Sequence, residues 1–216
     1  MPAPGQFILN KQVIPSELRS REWEAARVDY WRMERAFVMA GKVRFEDAQA
    51  CRNAAAALAN GKVSLIEARR AVREELERAG YRPTPGTAGT IKDIYTPRRL
   101  DVTLKTNVNM ARGYAEKNRL TGNAMYPASE LHRNRQSREP RDWQTRWNEA
   151  AAAVNYEGVA RDGSFIALND SPIWAALSRW RTPYPPFDYG SGMWWRPVKW
   201  RVAEKKGLVT DEDMAL

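Results

Sequence analysis

Three groups of side chains in this chain are of types that can do chemistry. The triplet Gly190-Ser191-Gly192 sets a serine between glycines. A nucleophile elbow needs Gly-x-Ser-x-Gly between a strand and a helix, with a histidine in reach as base. His132 is the single histidine, and its Arg-rich surroundings predict a loop remote from Ser191. A serine in a turn is the better reading. Cys51 is the single cysteine, so no intrachain disulfide forms. One Cys and one His cannot supply a four-ligand zinc site. They also lie in segments of different character, which disfavours a Cys–His nucleophile pair.

Asp162, Asp170 and Asp188 form the second group, since paired carboxylates serve acid–base or magnesium chemistry. Each also has a structural reading. Asp162 sits in an Arg-Asp-Gly turn, Asp170 stands where a helix cap is expected, and Asp188 can bind an arginine. Magnesium stays an alternative there. The Gly-rich PGTAGT has no following Gly-Lys-Ser/Thr, so it is not a phosphate loop. No catalytic residue, metal or cofactor is therefore expected, and the chain reads as a non-enzyme. An enzyme or toxin-type effector is the least favoured class.

The third group is basic. The 216 residues carry a net charge of +9, and 105–146 contribute +5 of it. Arg133, Arg135, Arg138, Arg141 and Arg146 stand beside Trp143 and Trp147. Guanidinium groups interleaved with rings can hold phosphate and stack on bases. These five arginines are candidate contacts to DNA or a partner. The other reading is a solvated helical surface with the tryptophans in the core. No helix-turn-helix, OB-fold or RNA-recognition signature is present, so any nucleic-acid contact would be sequence-independent.

Elements must position these groups. Residues 1–15 read as an extended N-terminal arm with three prolines. Residues 16–81 read as a helical region. An Arg/Glu/Ala-rich helix runs from Ser16 to Gly41, with Trp23, Arg27, Tyr30, Trp31 and Glu34 near one stripe. Phe45–Asn60 is a helix with Ala48, Cys51, Ala55 and Leu58 at helical spacing. Ser64-Leu-Ile-Glu67 is a capping-box pattern opening a further helix with Leu65, Ala68, Val72, Leu76 and Ala79 on its apolar face. Gly80 stops that helix, and the pair reads as an antiparallel hairpin. Residues 82–90 are a loop and the best internal boundary.

Residues 91–208 hold the remaining order, and 209–216 form an acidic tail. Pro97 opens a periodic helix with Leu100, Leu104, Val108, Ala111 and Ala115 on one face, closed by Gly122. The segment NAMYPASELHRNRQSREP reads as polar and irregular, with at most one short helix. A helix with Trp143 and Trp147 one turn apart follows, then a turn or hairpin over 158–165. Asp170 or Ser171 caps a short helix begun by Pro172. Residues 181–197, RTPYPPFDYGSGMWWRP, carry five aromatic rings among Pro and Gly. The rings Trp174, Trp180, Tyr184, Phe187, Trp194 and Trp195 are expected to anchor this segment. The fold class expected is mainly α with a small irregular or β-containing C-terminal part, an α+β chain. A mean hydropathy of −0.66 and the lack of a membrane-length apolar run or a signal-peptide pattern predict a soluble protein without a membrane partner.

Three segments, in this order, resemble the Mu F-like minor head proteins, the head-morphogenesis family of tailed phages. The first is RAFVMAGKVRFEDAQACRNAAAALANGKVSLIEARRAVREELERAGY, with its Arg-Ala-Phe-x-x-Ala-Gly turn and helical pair. The second is LDVTLKTNVNMARGYAEKNR, similar to a family helix at Thr106, Asn107, Ala111, Gly113 and Tyr114. The third is YPPFDYGSGMWWRPVKWRVAEKKGL, similar to the family's Pro-Pro-hydrophobic segment at Pro185, Pro186 and Phe187, followed by Gly190, Gly192, Trp194 and Trp195. The chain departs from the family where GSGMWWRP replaces a Cys-Arg-Cys, and where NDSPIWAALSRW lacks the histidine of an Asp-x-x-Thr-Arg-x-x-His element. No metal or enzymatic role carries over from those elements.

The resemblance implies a virion component made in the host cytoplasm and placed in the phage head. It would act in capsid assembly and in DNA packaging or ejection. Its implied partners are the portal or major capsid protein and packaged double-stranded DNA, with no small-molecule substrate. The alternative is a sequence-independent DNA-binding phage protein.

Overall fold

The computed structural model describes residues 3–14, 22, 34–39, 44–134, 141–156 and 164–210. The chain is mainly α with small sheets, an α+β fold. It divides into two compact units, Met1–Arg112 and Gly113–Leu216. The division falls inside a long helix rather than at the 82–90 loop. Among the described residues no helix is long and apolar enough to cross a membrane.

The first unit opens with helix α1 (Pro4–Leu9) and strand β1 (Gln12–Ile14), where an extended arm was expected. Pro4 is pre-set for a helical first turn, and Ile8 is fully buried. Gly5 brings α1 against helix α2 (Phe45–Ala59). The Gly5 amide donates to Asn60 Oδ1 at 2.9 Å, and a Cβ at residue 5 would lie 2.5 Å from the Ala56 carbonyl. Docking through a bare backbone leaves little periodicity to read, which is why the helix was not foreseen.

Strand β2 (Ala36–Val38) pairs parallel with β1, Val13 opposite Phe37. The helix expected to reach Gly41 therefore does not do so. Buried Phe37 and Met39 extend a local Ala-Phe-Val-Met run that suits a strand covered on its faces. Trp23, Arg27, Tyr30 and Trp31 lie outside the described residues.

Helix α2 and helix α3 (Leu65–Arg78) form the expected hairpin. Ala48, Cys51 and Ala55 are buried, and their small side chains let neighbours approach closely. The capping box forms: Ser64 Oγ accepts from the Glu67 amide and Glu67 Oε2 accepts from the Ser64 amide. Ala68, Val72 and Leu76 are buried, whereas Leu65 lies at the margin. Gly80 at φ +65° ends α3, with the Tyr81 amide donating back to the Leu76 carbonyl.

The loop after α3 is tied down rather than free. Asp93 is buried and accepts from the Tyr81 hydroxyl and from the amides of Gly89 and Tyr95. Arg73 donates to the Tyr95 carbonyl and lies over its ring. Thr96 Oγ1 accepts from the Arg99 amide at the start of helix α4 (Pro97–Leu120). Leu100, Leu104 and Ala111 of α4 join the core of this unit.

The second unit contains a three-stranded antiparallel sheet in the order β4–β3–β5. Its strands are β3 (Ala128–Arg133), β4 (Ile166–Leu168) and β5 (Met193–Val198). The centre of the sheet is the segment read from sequence as irregular. The polar run Ser-Glu-Leu-His-Arg carries no strand signature, but β5 pairs along its whole length and β4 along its first part. Ala128 faces Leu168 and Val198, Leu131 faces Trp195, and His132 faces Trp194. His132 is thus on a strand, not in a loop. Buried Asn169 fixes the start of β3. It accepts from Ser129 Oγ at 2.7 Å and donates to the Tyr126 carbonyl at 2.6 Å. Pro197 lies on edge strand β5, where its missing N–H blocks pairing with a further strand.

Helices α5 (Trp143–Ala153), α6 (Ile173–Leu177) and α7 (Trp200–Lys205) complete the unit. Asp142 Oδ1 caps α5 by accepting from the Thr145 amide, a bond that lowers the pKa of its carboxyl. At α6 the Ser171 hydroxyl accepts a long bond from the Ile173 amide, while Asp170 is exposed. Gly207 at φ +69° ends the last helix, and Val209 packs into a small cluster with Val198 and Ala203.

Candidate functional site

The Pro/Gly/aromatic segment folds into its own unit. Trp174, Trp180, Tyr184, Phe187 and Trp195 are buried, and Trp194 is half-buried. Trp174 is the hub. Its ring stands edge-on to Trp147 and Trp195 at centroid distances of 5.5 and 5.2 Å, and stacks on Phe187 at 5.7 Å. Its indole N–H donates to the Leu168 carbonyl at 2.8 Å. Edge-to-face pairs of this kind stabilise beyond the area they bury.

Two of the motif segments meet here. A Cβ added at Gly113 would lie 1.7 Å from the Pro185 carbonyl oxygen. No residue but glycine lets the backbone of Pro185 come this close to the helix. One residue on, the Tyr114 ring stands edge-on to Tyr184 at 5.8 Å. Pro185 and Pro186 are both buried, and the bond between them is cis. Thr106 and Asn107 are half-buried on α4, and Asn107 Nδ2 donates to the Thr103 carbonyl within the helix.

Ser191 is buried in the turn after Phe187. Its hydroxyl accepts from the Met193 amide at 3.2 Å, and its own amide donates to the Asp188 carbonyl. Gly190 and Gly192, at φ +56° and +68°, bend the chain into β5. Cys51 lies in the other unit, where burial pushes its thiol up to about 12. A thiol held protonated in this way is a poor nucleophile. Among the described residues no three His, Cys, Asp or Glu side chains gather as metal ligands. Asp162 lies outside the described residues.

Asp188 is the charged centre of the segment. Arg146 Nη1 lies 2.9 Å and Arg141 Nε 3.2 Å from its Oδ2, and Arg179 Nη1 lies 3.4 Å from its Oδ1. The Tyr189 amide donates to Oδ1 at 2.7 Å. Arg141 also donates to the Tyr189 carbonyl. Arg146 lies over the Trp143 ring at 4.6 Å and Arg179 over the Tyr189 ring at 5.4 Å. Tyr189 in turn stands edge-on to Trp180. Of the five candidate contact arginines, Arg141 and Arg146 thus come together on an internal carboxylate. Arg133 is half-buried on β3, opposite Met193. Arg135 and Arg138 lie outside the described residues.

Arg179 was missed by sequence reasoning. It stands alone in Leu-Ser-Arg-Trp, with no basic neighbour but Arg181 to mark it. The sole hint was Asp188, read as a possible partner for an arginine. No family model, curated protein or solved structure matches this chain.

Proposed function

We propose that this chain is a non-enzymatic minor head protein of a tailed phage, acting in capsid assembly and in DNA packaging or ejection next to the portal. The observation that carries the reading is the contact between Gly113 and Pro185. Gly113 and Tyr114 belong to one segment that resembles the Mu F-like family, and Tyr184–Phe187 to another. The segments are some 70 residues apart in sequence. Their junction gives a physical reason for both to occur in one chain, since the glycine is needed only if the proline segment lies on it. The +9 charge suits DNA or an acidic portal surface as partner.

The test is co-expression with the portal and major capsid protein of the same phage. The chain is expected to sediment with assembled heads and to be released with the portal on mild disruption. Heads that form normally without it, and never contain it, would end the reading. A stand-alone DNA-binding protein is the second reading, favoured by the arginines at Asp188. It predicts DNA binding with no association with heads.

A further inference from the structure

We propose that Asn60 and Gly61 form a site of spontaneous covalent modification, a deamidation whose rate is set by the docking of α1. Asn60-Gly61 is the single Asn-Gly pair in the sequence. Both residues are exposed in the turn between α2 and α3. Gly61 has no side chain to shield the Asn60 amide carbon from the following backbone nitrogen, and the space a Cβ would take there is open. In the reaction the Gly61 nitrogen gives up its proton and bonds to Cγ of Asn60. The Cγ–Nδ2 bond breaks, and the amide nitrogen takes up a proton and leaves as ammonia. The cyclic imide that remains adds one water. Opening at Cγ gives aspartate. Opening at the main-chain carbonyl gives isoaspartate, in which the chain runs on through Cβ. Nothing is oxidised or reduced.

The folded chain restrains each partner in this reaction. The ψ of Asn60 is 0°, which turns the Gly61 nitrogen toward the amide nitrogen of Asn60 and away from its side chain. The Gly61 amide donates to the Leu58 carbonyl at 3.1 Å, so its proton is engaged. The Asn60 side chain is held by α1, since Oδ1 accepts from the Gly5 amide at 2.9 Å. Helix ends fray at little cost, so the first two restraints open readily. The third opens only when α1 leaves α2, and Ile8, fully buried in the core of this unit, opposes that. Docking of α1 is thus the slow restraint. Isoaspartate undoes the arrangement. The oxygen that held Gly5 becomes a main-chain carbonyl, and the link to α3 gains a carbon. A new carboxylate stands at the C-terminal end of α2, where the helix dipole disfavours negative charge. α1 protects Asn60 while docked, and loses its anchor once Asn60 has reacted.

The test ages the full chain in mildly alkaline buffer and follows the tryptic peptide Asn53–Lys62 by fragment mass spectrometry, with isoaspartate identified by its specific methyltransferase. The chain unfolded in denaturant is expected to react at Asn60 at least about tenfold faster than the folded chain, because all the restraints are gone. Asn53 lies in the same peptide but precedes Ala54, and is expected to stay intact. Gly5→Ala sets a Cβ 2.3 Å from Asn60 Nδ2 and 2.5 Å from the Ala56 carbonyl. By displacing α1 it is expected to speed the reaction in the folded chain by about tenfold. Should Gly5→Ala fail to fold, Ile8→Val trims one carbon from the buried face of α1 and is expected to speed the reaction several-fold. Aged parent enriched in isoaspartate should exchange its α1 amides faster, with α5 unchanged. No reaction at Asn60 in the unfolded chain would overturn the proposal. So would equal rates in folded and unfolded chains, or a folded Gly5→Ala or Ile8→Val variant as slow as the parent. Unchanged exchange at α1 in the aged protein would end the claim that the modification releases this helix.

Discussion

Gly113 lies directly beneath the carbonyl of Pro185, with room for a hydrogen but not for a methyl group: the added Cβ would stand 1.7 Å from the oxygen. Both partners are backbone, so neither can swing aside. Gly113→Ala is therefore expected to separate the helix from the proline segment and to cost about 2 kcal/mol or more, at the severe end for overpacking. Denaturant unfolding measures it. Gly190→Ala has open space around it but a φ of +56°, so a smaller loss of about 1 kcal/mol is expected. A Gly113→Ala protein as stable as the parent would remove the contact from the account.

The aromatic hub gives a graded expectation. Trp174 is fully buried, touches three rings and holds the Leu168 carbonyl. Trp174→Ala should cost about 3–5 kcal/mol. Trp194 is half-buried on β5, so Trp194→Ala should lower the melting temperature by much less, for a loss of about 1 kcal/mol. Equal losses at the two positions would mean that the hub is elsewhere.

Lys11 provides a dependence on pH. Burial lowers its ammonium to about 8 from 10.5, with the Glu34 carboxylate opposing the shift. Between those values the unfolded chain holds a proton that the folded chain has released, so this group adds stability as pH rises from about 8 to 10.5. Lys11→Met removes the gain. The stability advantage of the variant over the parent should shrink with rising pH, by at most about 1.4 kcal/mol per pH unit. A difference that stays constant across the window would contradict the burial of the ammonium.

Cys51 acts in the opposite sense. Its thiol ionises near 9 when exposed, but burial pushes it up to about 12 in the folded chain. The stability it contributes is therefore lost as pH rises from 9 towards 12. The same burial shields the sulfur, so a thiol reagent should label Cys51 only as fast as the first unit opens. Prompt labelling in the absence of denaturant would show that α2 is not packed as described.

Much of the helical part was legible because its signals are local. The capping box at Ser64, the 3–4 spacing of Ala68, Val72 and Leu76, and the stop at Gly80 need no distant partner. β3 was not legible. Ser129 and Glu130 become strand residues because β4 and β5 flank them on both sides and Asn169 binds Ser129, and His132 because β5 pairs with it at Trp194. α1 escaped notice for a related reason, since its place depends on Asn60 and Ala56 at the far end of another helix.

The same division holds for the candidate site. Composition and spacing alone determined that the chain is basic and largely helical, and that residues 181–197 are too rich in rings for a linker. The resemblance of two segments to a phage family placed Gly113 and Pro185 in separate motifs. Tertiary structure decided that these two residues touch, that most of the rings turn inward around Trp174, and that Asp188 collects arginines from two separate stretches of chain. The reason is physical: a backbone contact with glycine and a shared carboxylate leave no periodic trace. They arise only when chain closure brings together groups that lie tens of residues apart.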